Sequence, residues 1–316
     1  MAKPSPDSSH PPRLLVLELW GLGDVTLALP FLRRASASLQ VTLVAKPHAG
    51  PLLARFAPEV GLVPFIAPWT AFRGKYRLHR WPWRELAALR RTLRAGGFDA
   101  GISARADPRD HALLTLSGAR ERIGFPRAGS GRLLTKRLPC IGLMHRAEQW
   151  RALATAMGWD LPRFASESHG VRSGRRIVIH TGAGHPVRRW PIERYHALAA
   201  RLRAEGWEPS LVDDTVSDLD TLVDVLSTAD RFIGNDSGPG HLAALLDVPT
   251  FTIFGPQRPE LFAPQHPDAA WIEGAPCEYK PCFDACRFAQ PDCLLSLSVD
   301  SVWSRVQAWL ARQPRT

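Results

Sequence analysis

Two short stretches bring together residue types that can hold a phosphate. The first is Gly234-Asn235-Asp236-Ser237-Gly238-Pro239-Gly240-His241. It follows the apolar run Arg231-Phe232-Ile233, which reads as a short buried strand, and leads into Leu242-Ala243-Ala244-Leu245, which reads as a helix with Pro239 in its first turn. A strand, a glycine turn and a helix start present free N–H groups and the positive end of a dipole, which suits a diphosphate. Asp236, Ser237 and His241 add side-chain donors and acceptors at the same spot. An ordinary Ser/Asp helix cap has the same composition. The second stretch, His180-Thr181-Gly182-Ala183-Gly184-His185-Pro186-Val187-Arg188-Arg189-Trp190-Pro191, also joins a strand to a helix. Its small residues, Thr181 and Gly182 among them, let a ligand approach the backbone. Arg188 and Arg189 offer positive charge to a phosphate, and a basic surface loop is the plainer reading.

A third turn, Trp20-Gly21-Leu22-Gly23-Asp24, follows the strand-like Arg13–Leu19 and opens a helix over Val25–Ser38 that contains Pro30. Thr26 stands where the third glycine of a dinucleotide fingerprint would be, so a dinucleotide site is not indicated. Asp24 could cap that helix, and a carboxylate in a cleft could equally serve as a general base.

Strand-like and helix-like segments alternate along the chain, which points to parallel sheets. Strands are expected at 41–45, 60–66, 98–103, 122–125, 176–180, 209–212, 250–254 and 271–272, and helices at 48–56, 82–95, 107–116, 145–157, 191–205, 219–226 and 299–312. Residues 1–12 are polar and proline-rich and read as a disordered tail. Residues 13–160 and 176–316 read as two α/β domains, joined by a linker at 161–175 that lacks apolar period. At 316 residues the chain is long enough for two cores. No apolar run reaches membrane-spanning length, and the first, Leu14–Leu17, is too short for a signal-peptide core, so a cytoplasmic location is expected.

The net charge of +10 suits anionic partners: nucleic acid, phosphorylated sugars or an anionic membrane surface. No nucleic-acid module accompanies it. The stretch from Trp69 to Trp83, with Arg73, Lys75, Arg77 and Arg80, could face an anionic acceptor or be a solvated loop. Four of five cysteines, Cys277, Cys282, Cys286 and Cys293, cluster in one segment, with Cys140 apart. In a reducing compartment the cluster suggests a metal or buried free thiols rather than disulfides.

Taken in order, Gly23-Asp24, Arg188-x-Trp190-Pro191, Asp236-Ser237-Gly238-Pro239-x-His241-Leu242-Ala243-Ala244 and Thr252-Ile253-Phe254-Gly255-Pro256 resemble the ADP-heptose–lipopolysaccharide heptosyltransferases, glycosyltransferase family 9. The resemblance runs from about residue 13 to 310. It implies a GT-B fold: two Rossmann-like domains facing a cleft, acceptor on the first and nucleotide-sugar on the second. It implies inverting transfer of a heptose from ADP-heptose to a lipid A–core type acceptor at the inner face of the inner membrane, with no cofactor required for catalysis. Asp24 matches the family's candidate base. Asp236, Ser237, Gly238 and His241 match donor-binding positions, and Arg188 stands where the family often has lysine. Thr181 and Gly182 belong with the donor set, and Gly23, Arg105 and Arg122 are expected on the acceptor side. Some relatives carry a comparable cysteine segment and a few bind iron there, so structural iron or zinc is an option for this cluster.

One departure stands out. After Val212, relatives have a glycine-rich turn with an acidic residue and a further strand. Here Asp213-Asp214-Thr215 leads almost directly into the helix at 219–226. The second domain is expected to be short by about one β-α unit, in the region that normally helps to hold the nucleoside, with Asp213 as a stand-in for a ribose contact. Two alternatives follow: a catalytically silent GT-B protein that binds sugar or nucleotide or scaffolds an assembly, and a transferase using another nucleotide-sugar.

Overall fold

The computed structural model describes residues 11–71, 76–139, 144–164, 172, 174–213 and 218–312. Arg73, Lys75, Cys140, Asp214 and Thr215, most of the expected tail and part of the expected linker lie outside these. The chain divides into two compact units, Met1–Leu161 and Pro162–Thr316.

The first unit has six strands: β1 (Arg13–Glu18), β2 (Gln40–Ala45), β3 (Gly61–Pro64), β4 (Ala100–Ser103), β5 (Glu121–Gly124) and β6 (Lys136–Arg137). All pairs are parallel, in the order β3-β2-β1-β4-β5-β6. Its helices are α1 (Leu22–Ser36), α2 (Ala49–Phe56), α3 (Trp83–Ala95), α4 (Pro108–Ser117) and α5 (Arg146–Ala156). β1 is central, paired with β2 on one side and β4 on the other, and Leu14 to Leu17 are fully buried. That is why it reads as a continuous apolar run rather than an alternating one. The chain turns back between β1 and β4, so the carboxyl ends of these strands form a switch point, where open α/β sheets bind ligands. α1 runs through Pro30 and buries Val25, Ala28, Leu29 and Leu32. The stretch expected to be an irregular basic loop instead holds two short 3-10 turns, Pro68–Thr70 and Leu78–Arg80. Trp69 there is a core residue, 3% exposed.

The second unit has β7 (Arg176–His180), β8 (Glu208–Val212), β9 (Arg231–Asn235), β10 (Thr250–Phe254) and β11 (Ala270–Glu273), parallel in the order β11-β10-β9-β7-β8. Its helices are α6 (Ile192–Ala204), α7 (Leu219–Ser227), α8 (Gly238–Leu245), α9 (Pro259–Phe262), α10 (Asp292–Leu295) and α11 (Val299–Leu310). This is the first sheet's order with one strand absent: β7, β8, β9, β10 and β11 correspond to β1, β2, β4, β5 and β6, and nothing among the described residues corresponds to β3. The chain leaves β8 and returns through α7 to β9 on the other side of β7, as the short Asp213–Leu219 connection requires. Trp190 and Tyr195 meet edge-on in the core, with ring centroids 4.9 Å apart, on the face covered by α6 and α11.

Candidate functional site

In the first unit, the turn after β1 places Asp24 at the third position of α1. Gly21, at the N-cap, has no side chain with which to cap the helix, so Asp24 reaches back and its Oδ2 accepts the Gly21 N–H at 3.2 Å. Asp24 is therefore a capping-box residue and not the N-cap itself. Its other oxygen is ion-paired with Arg105, which follows β4. The Arg105 guanidinium lies over the Trp20 ring, 4.6 Å from its centroid. Gly23 precedes Asp24 in the same turn of α1, so these neighbours gather where β1 and β4 end.

Buried carboxyls surround the pair. Glu18, the last residue of β1, is 1% exposed and accepts the Trp20 N–H at 3.3 Å. Burial, with the Asp24 carboxylate adding to it, pushes its pKa up to about 8, against the pull of Arg105. Asp110, on α4, accepts from Trp69 Nε1 at 2.9 Å and from Ser103 Oγ at 3.2 Å. Burial pushes it up to about 7. Lys46, just after β2, is drawn down by burial while Asp24 and Glu18 pull it up. Strands β1, β2 and β4 thus each deliver a charge-bearing group to the end of the sheet where Asp24 sits. Arg122 turns elsewhere: its guanidinium donates to the carbonyls of Leu133 and Ala119, which ties β5 to the loop before β6 and leaves its expected acceptor role without support from geometry.

In the second unit, β9 and the loop after β7 converge through Asn235. Its Oδ1 accepts the Trp190 N–H at 2.9 Å, and its Nδ2 donates to the carbonyls of Thr181 and Gly182 at 2.8 and 3.2 Å. The Thr181 N–H also donates to the Val212 carbonyl. One fully buried amide therefore fixes both ends of the loop that carries Arg188. Arg188 Nη1 lies 3.3 Å from Asp236 Oδ2, so these two residues, 48 positions apart in the chain, do come together. Ser237 is the N-cap of α8, yet its side chain makes no cap bond and its hydroxyl donates to the Asn235 carbonyl at 3.3 Å. The turn is thus not the Ser-capped helix that its composition allows. Gly238 opens α8 and His241, 7% exposed, lies within it. Gly234 is required by close approach: a Cβ there would lie 2.9 Å from the Phe232 ring and 3.1 Å from the His180 carbonyl. Arg189 is bound back to the Ala183 carbonyl through two nitrogens. Asp213 is exposed at the end of β8.

Cys277, Cys282, Cys286 and Cys293 are free and line one pocket with Pro256, Lys280 and Asp292. Burial pushes the Cys293 thiol up to about 11 and raises that of Cys282. Among the described residues, no three His, Cys, Asp or Glu side chains gather into a group that could hold a metal ion. The cluster expected from the sequence is real as a neighbourhood, but its arrangement does not fit a bound iron or zinc.

Four participants had little or no signal in the sequence. Glu18 is a lone acid closing an apolar strand, which could have marked it. Asn235 lies inside the motif, but its three bonds reach residues far away in the chain. Asp110, and Asp284, whose carboxylate accepts from Arg188, have no local mark at all.

The sequence profile of glycosyltransferase family 9 (heptosyltransferase) matches residues 216–291. The chain is 25% identical to lipopolysaccharide heptosyltransferase 1 of Pseudomonas aeruginosa across 94% of its own length and 98% of the relative's. It is 28% identical to lipooligosaccharide heptosyltransferase 2 of Campylobacter jejuni over 48% of this chain and 46% of that one. Among solved structures, E. coli heptosyltransferase WaaC with ADP superposes with a TM-score of 0.70 at 19% identity, covering 94% of this chain and 99% of that one. A glycosyltransferase family 9 structure from Veillonella parvula gives 0.71 at 18% identity, over 96% and 98%. These likenesses show the GT-B fold. With the family profile on the Asp-Ser-Gly region and a relative aligned from end to end, they make the protein a glycosyltransferase that resembles glycosyltransferase family 9.

Proposed function

We propose that this protein transfers a heptose from ADP-heptose to a hydroxyl of a lipopolysaccharide core acceptor, inverting the anomeric centre. The observation that carries the reading is the Arg188–Asp236 pairing beside the N-terminus of α8, held by Asn235, in a chain aligned end to end with a lipopolysaccharide heptosyltransferase. A neighbour in fold was solved with ADP and another with ADP-2-deoxy-2-fluoro heptose, which supports an ADP-sugar as donor.

In this reading Arg188, Ser237, Gly238 and His241 hold the diphosphate end, with Thr181 and Gly182 shaping the loop beside it, Asp236 taking sugar hydroxyls and Asp213 meeting the ribose. Asp24 takes the proton of the acceptor hydroxyl as its oxygen attacks the anomeric carbon. The bond from that carbon to the diphosphate breaks, and the negative charge gathering on the leaving group is met by the helix N-terminus and Arg188. Arg105 orients Asp24, and Gly23 lets the acceptor approach. No described helix is long and apolar enough to cross a membrane, so a lipid-linked acceptor would be met by a protein resting on the inner face of the inner membrane.

The test is mass spectrometry of a core acceptor incubated with ADP-heptose. The expected product gains one heptose with inverted configuration, and Asp24→Asn lowers the rate by about 10²–10⁴-fold while ADP binding is kept. Asp24→Asn turning over at the normal rate removes Asp24 as base. A second reading, a catalytically silent sugar- or nucleotide-binding protein, is favoured by the absent strand beside β8. Absence of calorimetric binding for ADP-, UDP- and GDP-sugars would sink the enzyme reading, and binding without transfer would favour the silent one.

A further inference from the structure

The segment that bears the cysteines also delivers a carboxylate to the donor site. Nε and Nη2 of Arg188 donate to the two oxygens of Asp284 at 2.5 and 2.6 Å. Nη1 faces the Asp236 carbonyl and Oδ2 at 3.5 and 3.3 Å. All three guanidinium nitrogens therefore already have acceptors. The Asp284 side chain is 4% exposed and that of Arg188 26%, so the contact is sheltered from screening by water. The backbone that carries it is left-handed at two consecutive residues with side chains, Phe283 (φ 48°) and Asp284 (φ 69°), a region that such residues seldom adopt. Phe283 is 56% exposed, so its packing does not account for the conformation.

The charge balance is informative. One guanidinium and two carboxylates sum to −1 at the place assigned to an incoming diphosphate, which is itself an anion. A carboxylate and a phosphate use the same two-pronged face of an arginine, and Asp284 holds that face. We propose that Asp284 is an intramolecular stand-in for a phosphate, occupying the Arg188 fork in the absence of donor and displaced by a diphosphate-bearing ligand. The loop between Cys282 and Cys286 swings with it, so that segment gates the donor site. This rests on Arg188 being a phosphate ligand of the donor.

The experiment is calorimetric titration of ADP, inorganic pyrophosphate and adenosine into the wild type, Asp284→Asn, Arg188→Gln and the double variant. Asparagine keeps the size of the side chain and tolerates the left-handed backbone. Removing the competing charge tightens ADP and pyrophosphate binding about tenfold, as when a competent state populated at about a tenth becomes the main one. Adenosine, which carries no phosphate, is unaffected. Arg188→Gln weakens ADP binding, and adding Asp284→Asn to it restores nothing. If Asp284→Asn binds ADP no better than the wild type while Arg188→Gln binds it worse, the stand-in role is overturned and Arg188 keeps its place. An equal gain for adenosine overturns it too. If Arg188→Gln binds ADP like the wild type, the donor reading of Arg188 fails first.

Discussion

Replacing Glu18 by glutamine should flatten the dependence of stability on pH. The Glu18 carboxyl is 1% exposed, and burial followed by the Asp24 carboxylate pushes its pKa from 4.5 to about 8. The folded chain therefore keeps a proton that the unfolded chain gives up above about pH 4.5. Stability from this group is fully present below that point and is lost as pH climbs toward about 8. The slope is about 1.4 kcal/mol per pH unit for one proton. Between about pH 5.5 and about pH 7.5, which lies inside the window, the wild type loses roughly 3 kcal/mol through Glu18 alone. Glutamine has similar volume, and its carbonyl can still accept the Trp20 N–H, so the fold stays intact. Urea unfolding at the two pH values, followed by far-UV circular dichroism, gives the difference directly. The variant should lose about 3 kcal/mol less than the wild type over the interval. Asp110, pushed up to about 7 by burial, loses stability over a window that ends lower, so Asp110→Asn as a companion separates the two. If Glu18→Gln and wild type lose stability in parallel, Glu18 is already ionised in the folded protein, and the account of the Asp24 neighbourhood as two buried acids around one ion pair is wrong.

Two further outcomes concern the second unit. Asn235→Ala removes the acceptor of the Trp190 N–H and the donor to two loop carbonyls, all buried; it should lower stability by about 2–4 kcal/mol and weaken ADP binding, read by chemical melts and calorimetry. Gly274→Ala places a Cβ 1.8 Å from the Cys293 carbonyl oxygen, a clash with backbone that no rotamer relieves. It should lower the unfolding midpoint by the equivalent of about 3 kcal/mol or more, whereas Gly184→Ala, with open space at its Cβ, should leave the midpoint unchanged.

The alternation of strand and helix was legible because each central strand is buried on both faces and so appears as an unbroken apolar run. The strand order was not, since it depends on which side of β1 or β7 the chain returns to. Asp24 was legible as a carboxylate in a helix-opening turn, but its capping partner was not: that Gly21 leaves the cap to a residue three positions on emerges only when the turn is built. Arginines were the least legible residues. Arg122, Arg188 and Arg189 look alike in the sequence, yet Arg122 and Arg189 bind backbone carbonyls while Arg188 meets two carboxylates. A guanidinium on a long stem reaches any of these with similar ease, and what decides is where distant segments fold. Asp284, 96 residues from Arg188, is the limiting case. Trp69 misled for a related reason: aromatic rings among basic residues suggest a surface, but its indole N–H has a buried partner in Asp110, so the ring goes inward.

That no strand among the described residues corresponds to β3 has a consequence for β8 itself. In the first sheet the corresponding strand, β2, has neighbours on both sides, and Val41, Leu43, Val44 and Ala45 are buried. β8 pairs only with β7 among the described residues, so one row of its backbone groups faces outward, the condition that invites pairing with another chain. Its sequence, Glu-Pro-Ser-Leu-Val, answers that exposure. Pro209 has no N–H to offer, and a proline in a strand is tolerated only at an edge. Glu208 and Ser210 are exposed, and Leu211 is only half-buried where β2 buries Leu43. β3, the edge of the complete sheet, ends in Pro64 and has Gly61 exposed at its start, so the same device recurs at the true border of each unit. The shortening is therefore built into the composition of β8. A truncated segment with an interior strand's apolar pattern would have left a sticky edge, whereas this strand is written as a border.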